Sequence, residues 1–272
     1  MRSASGDVRP AGTARALPRA VAAAVVVLAL LVLVSVGRRL TVDVPNLASG
    51  AVPDPDEFDH RYALHPVLAY LHIAVGVVYL VGAPVQLSRR VRSRHLALHR
   101  RMGRVVLPAG LLTGVSAILA GVVFPFDGFL EVSATVVFGA YMIAALVTAY
   151  VAVRARDIAR HRRWMIRAFA AGVAVGTQRV WLGVLVGPGG MPFEQAFGVA
   201  FWLAFVVNVL AAEVYLLRVP VPATLLRPTT RRPGSEAVAH PPLAVLTREV
   251  GDAAGGWEAA ECGVSAVVIV GV

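Results

Sequence analysis

The chain has no lysine, so all 26 basic residues among its 272 are arginine. It has a single cysteine, Cys262, and only 15% of its residues are charged, against about 25% in soluble domains. One cysteine excludes an internal disulfide and any metal or iron–sulfur site built from several thiolates. The scarcity of charge, beside 57% hydrophobic residues, excludes an ordinary soluble domain. There is also no GxSxG, no HExxH, no phosphate-cradling glycine loop and no DNA-binding motif, so nothing points to a hydrolase, protease, nucleotidase or regulator. A net charge of +10 suggests nucleic acid only until the arginines are located. They cluster at the ends of apolar runs, where membrane topology alone calls for them, and no nucleic-acid partner is expected.

Residues 1–19 are small and polar and are expected to be disordered. An unbroken apolar segment runs from Ala20 to Val36 and is closed by Arg38 and Arg39. It exceeds the 7–15 apolar residues of a secretory signal peptide, so we read 20–37 as a retained helix. Residues 38–65 read as an acidic loop, with Asp43, Asp54, Asp56, Glu57 and Asp59 and with prolines that discourage helix. Five further apolar runs follow within 66–217, each near the 20 residues that cross a hydrocarbon core. The remainder, 218–272, is Pro-, Gly- and Ala-rich and reads as a disordered tail; its closing GVSAVVIVGV is too short to span.

Charge then sets the orientation. The N-terminus, the 88–104 and 154–163 loops and the segment after Arg218 are rich in arginine, whereas 40–65, Pro125 to Leu130 and Pro188 to Glu194 carry acids. This alternation predicts an all-α polytopic bundle of six transmembrane helices in the plasma (inner) membrane, with both termini cytoplasmic. The basic loops also suit anionic lipid headgroups.

Two of these loops resemble each other. RSRHLALHRR at 92–101 returns as RARDIARHRR at 154–163, a constant offset of 62 residues that aligns His99 with His161. We read a duplicated hairpin, forming a four-helix core over 66–187. Small residues at helix-packing spacing, Gly110 with Gly114, Gly172 with Gly176 and Gly183 with Gly187, favour close backbone approach.

Two constellations are candidates for chemistry. His99 and His161 are equivalent in the repeat, and a parallel duplication would bring them face to face at one depth, as a six-coordinate b-type haem needs. Arg100 and Arg162, with Arg101 and Arg163, would hold the propionates. Asp157, one helical turn before His161, would orient its ring. In this respect the chain resembles the four-helix bis-histidine membrane cytochromes. The competing reading is a set of solvated interfacial groups that bind only lipid. The second constellation is His72 with Arg179, about 9 and 12 Å below the acid-bearing ends of their helices. Intramembrane ionisable groups mark sites for a small anionic or quinone-like ligand, in a transporter or sensor, unless Arg179 serves structure by pairing with Glu131 or capping carbonyls. Tyr79 and Gln86 read as packing residues. His60 and His65 with Asp59 form no convincing metal site on a flexible loop.

The helix from His72 to Gly76 running into GAPVQ, the LHRRMGR that holds His99, and RDIARHRRWMIR with Asp157, His161, Trp164 and Arg167 together resemble a bacterial membrane family, domain of unknown function 2306. Arg179 fits the same pattern. The resemblance covers about residues 65–215 and implies a multi-pass membrane fold without an assigned reaction.

Overall fold

The computed structural model describes residues 13–50, 53–54, 59–126 and 128–218. The expected tail beyond Arg218 and the first twelve residues lie outside these. Among the described residues there is no strand. The helices are α1 (Thr13–Arg38), α2 (Val44–Ala48), α3 (His60–Leu64), α4 (Pro66–Leu87), α5 (Arg89–Arg94), α6 (Leu96–Val123), α7 (Phe129–Arg154), α8 (Ile158–Val186) and α9 (Phe193–Arg218). Six helical segments, 19–48, 66–87, 96–123, 129–154, 158–186 and 193–218, are long and apolar enough to cross a membrane.

The first of these departs from expectation. Helix α1 already begins at Thr13, and it runs on through a π-helical turn, Arg39–Asp43, into α2. Pro45 leaves this stretch helical because it occupies the first turn of α2, where its missing N–H costs nothing. Arg39 anchors this segment: it donates to Asp43 at 2.8 Å and to Asp59 at 2.7 Å and lies 3.7 Å over the Tyr62 ring. Arg38 reaches Asp59 as well, at 2.9 Å. Two arginines therefore sit at the acid-bearing end with carboxylates against them, which removes the topological penalty that free arginines would carry there.

The glycine pairs show how the helices close. A Cβ on Gly110 would stand 2.6 Å from two carbons on one edge of the Tyr79 ring, and one on Gly172 would stand 2.6 Å from the other edge. The two glycines are 62 residues apart, and a notch on α6 and a notch on α8 together clamp one ring from α4. Gly114 admits Ile143 of α7, and Gly176 receives the Leu28 backbone of α1. In lipid this close approach supplies the packing that water would otherwise drive. The third pair behaves differently, since Gly183 faces open space and Gly187 only ends α8. Spacing alone did not separate notches from exposed glycines.

Helices α6 and α8 also start 62 residues apart, at Leu96 and Ile158. The turns before them differ in form. Before α6 the chain makes α5 and then His95. Between α7 and α8 it makes a Schellman turn, with Asp157 N bonded to Ala152 O, Arg156 N to Val153 O, and Arg156 at φ 62°. Asp157 then caps α8 by accepting from Arg160 N at 2.9 Å.

Candidate functional site

The arginine-rich end of the bundle gathers polar groups from five helices. Gln86 ends the buried face of α4, and its Oε1 would lie 3.9 Å from a Cβ on Gly103 of α6. His99 stands one turn before Gly103 on that helix, with Arg92, His161 and Arg100 as its electrostatic neighbours. Arg92 of α5 donates to the Leu87 carbonyl at 2.9 Å, which holds it at the tip of α4. Burial, followed by the neighbouring Arg162 and Arg89 guanidiniums, pushes Arg92 below the ordinary arginine range. Tyr215 of α9 acts in the opposite sense. Three nitrogens here are buried with no partner among the described residues: Gln86 Nε2, His99 Nδ1 and Arg162 Nη1. A buried unpaired group of this kind costs about 1–3 kcal/mol. The cluster is rich in donors and positive charge, and no carboxylate acts on Arg92 or His99 among the described residues.

The residues expected to hold a cofactor take up distinct positions. His99 and His161 come close enough for their charges to interact. The His161 ring is fixed by its Nδ1, which lies 2.8 Å from the Ala149 carbonyl of α7. Asp157 does not orient it, contrary to expectation. Its carboxylate is taken by the helix cap, because an N-terminal Asp meets free backbone N–H groups before it can reach a ring one turn away. Arg100 is exposed, whereas Arg162 is half-buried.

At the other end, His72 and Arg179 find separate partners, and no hydrogen bond joins them. His72 Nδ1 lies 3.0 Å from Ser116 Oγ of α6. Ser116 gives its own proton to the Leu112 carbonyl at 2.6 Å, so its oxygen accepts from His72 Nδ1–H and leaves Nε2 with the lone pair. Arg179 donates from Nε to Ser35 of α1 at 2.9 Å and from Nη1 to the Val175 carbonyl at 2.8 Å. This is the carbonyl-capping role weighed from the sequence, with α1 added to it. Glu131 accepts from Phe126 N. Tyr62 lies in the field of Arg39 and Arg179, and its burial raises its pKa despite them. His60 Nδ1 meets the Pro53 carbonyl and His65 stacks on Phe124 at 4.8 Å, while Asp59 is held by arginines. Among the described residues no group of three or more metal-ligating side chains forms.

Sequence reasoning missed the polar clasp between α8 and α9. Arg167 binds Glu213 through two parallel bonds of 2.6 and 2.7 Å, and its guanidinium lies 4.7 Å from the Trp164 ring centre. Asn208 accepts from Thr177 and donates to the Ala170 carbonyl. The only advance signal was that Arg167 and Glu213 both lie in apolar runs, near ends that share a side.

Neither the curated proteins nor the solved structures contain a match to the chain. The model of one family, described as predicted membrane protein (DUF2306), matches residues 69–216, more than half of the chain. The match spans α4 to α9 almost completely, including Gln86, His99, His161 and Arg162. On that extent the chain belongs to the family of predicted membrane proteins with domain of unknown function 2306.

Proposed function

We propose that the arginine-rich end of the bundle binds an anionic oxygen ligand, a carboxylate or phosphate group, as part of a carrier or sensor. The observation that carries this reading is the set of three buried nitrogens, Gln86 Nε2, His99 Nδ1 and Arg162 Nη1, on three helices and without a partner among the described residues. Arg92, crowded by Arg162 and Arg89, adds charge that an anion relieves. Guanidinium and amide donors suit a carboxylate or phosphate, and a charge-assisted bond is the stronger kind.

Thermal melting of the purified protein in detergent tests it. Inorganic phosphate or a small carboxylate at one hundred times its Kd is expected to stabilise the fold by about 2.7 kcal/mol. Arg162→Leu is expected to abolish most of that shift. If the ligand is a lipid headgroup, soluble anions leave the melt unchanged while anionic lipid in nanodiscs raises it against zwitterionic lipid alone. A melt indifferent to both classes of anion sinks the reading.

A second reading is supported by His161. A ring held through Nδ1 to a backbone carbonyl presents Nε2, the arrangement usual for a metal-bound histidine, and His99 is its electrostatic neighbour. Haem b, with its propionates toward Arg162 and Arg100, fits this chemistry. A reduced-minus-oxidised absorption spectrum of protein made with ample haem decides it. A low-spin b-type band lost in both His99→Ala and His161→Ala, and kept in His95→Ala, supports haem; no band ends it.

The positive-inside rule orients the molecule with this end in the cytoplasm of an inner membrane. Reporter fusions in the turn at Arg156 and after Arg227 are expected to read cytoplasmic, and one near Asp54 to read the outer side. A periplasmic signal at either arginine-rich position contradicts the orientation.

A further inference from the structure

Helix α4 carries polar side chains at a constant spacing of seven: His72, Tyr79 and Gln86. Seven residues fall about 20° short of two full turns, so the three lie on one face of the helix. From His72 to Gln86 the file covers about 21 Å of a hydrocarbon core about 30 Å thick. His99 and His161 continue it at the arginine-rich end.

Polar side chains inside a bundle commonly serve as glue between helices, and glue has partners. Here the Tyr79 hydroxyl and Gln86 Nε2 are buried with none among the described residues, and the two residues are only 2% and 6% exposed. Tyr79 has its ring held by Gly110 and Gly172, so its hydroxyl cannot swing out to find a partner. The fold also adds acceptors: Pro84 lies inside α4 and has no N–H for the Leu80 carbonyl, one residue beyond Tyr79. Buried polar groups that lack a protein partner are commonly satisfied by internal water. Successive members of the file are about 10.5 Å apart along the axis, a gap that two or three waters would bridge at hydrogen-bond spacing.

We propose that this file is a proton path through the bundle, from His72 by way of Tyr79 and Gln86 to His99. His72 takes up a proton at Nε2 from water on one side and returns it from Nε2 to the next water, while its Nδ1–H stays on Ser116 Oγ. The Tyr79 phenol accepts a proton from water on one side and gives its own to water on the other. Gln86 holds the next water in line, and the free Nδ1 of His99 receives the proton at the arginine-rich end. The inference goes beyond ligand binding and does not require it.

The test uses the full-length protein in liposomes with a trapped pH-sensitive dye and a potassium diffusion potential. Wild type is expected to pass protons faster than empty liposomes. Tyr79→Phe keeps the clamped ring, removes only the hydroxyl, and is expected to lower that rate at least tenfold. Gln86→Leu is expected to lower it as well. Thr148→Ala, whose hydroxyl only returns to the Ala144 carbonyl of its own helix, keeps the wild-type rate. Melting curves establish that each variant is folded. A wild-type rate equal to that of empty liposomes, or an unchanged rate in folded Tyr79→Phe, overturns the proposal. Because anion binding is read separately, as a melting shift that Tyr79→Phe retains, the two ideas fail independently.

Discussion

Gly172→Val is expected to be the most disruptive single substitution in the bundle, lowering its stability by about 3 kcal/mol, the upper end of the usual cost of overpacking. The new Cβ alone would lie 2.6 Å from Tyr79 Cε1 and 3.6 Å from Met142 Cε, and valine adds two methyl groups beyond it. Tyr79 cannot yield, because Gly110 already lies against the opposite edge of its ring with Leu146 beside it. Gly110→Val is expected to behave in the same way from the other side. Shortening the clamped residue returns the volume, so Tyr79→Ala in the Gly172→Val background is expected to recover part of the loss. Helicity followed through thermal melting in detergent measures all three. A Gly172→Val protein that melts like wild type shows that the ring is not held between the two helices.

Breaking the clasp between α8 and α9 has the next largest effect. Removing one member of a fully buried ion pair costs about 3–5 kcal/mol, whereas an exposed pair is worth about 1 kcal/mol or less. The side chains of Arg167 and Glu213 are 22% and 38% exposed, which places the pair between these limits. Arg167→Leu is expected to cost about 2 kcal/mol, because it strands the Glu213 carboxylate and removes the guanidinium from the Trp164 face. Arg167→Leu with Glu213→Leu removes both charges together and is expected to restore most of the stability. If the double variant melts no higher than Arg167→Leu alone, the damage comes from lost packing and the ion pair is not the cause.

Several features of the bundle were legible in the sequence because they are local. An apolar run of sufficient length is a span whatever its neighbours are, and arginine placement is counted loop by loop. The helical class and the six spans followed from that, and the family was legible in the local motifs GAPVQ, LHRRMGR and RDIARHRRWMIR. Pro45 was misjudged within 38–65, because a proline's effect depends on its position within a turn.

Side-chain partners depend on how each helix is rotated and how closely it approaches the next, and neither quantity is written in one segment. His72 and Arg179 were matched by depth alone, but the rotation of α4 turns His72 to Ser116, and α1 supplies Ser35 to Arg179. Asp157 was placed near His161 by spacing, and the helix N-terminus claimed it first. The pairing of Arg167 with Glu213 joins residues 46 apart and exists only because α9 lies along α8. The glycine spacings were visible in the sequence, yet their common target, Tyr79, was not. That contact needs three helices packed closely enough for one ring to touch two of the others, and close packing is a property of the assembled bundle alone.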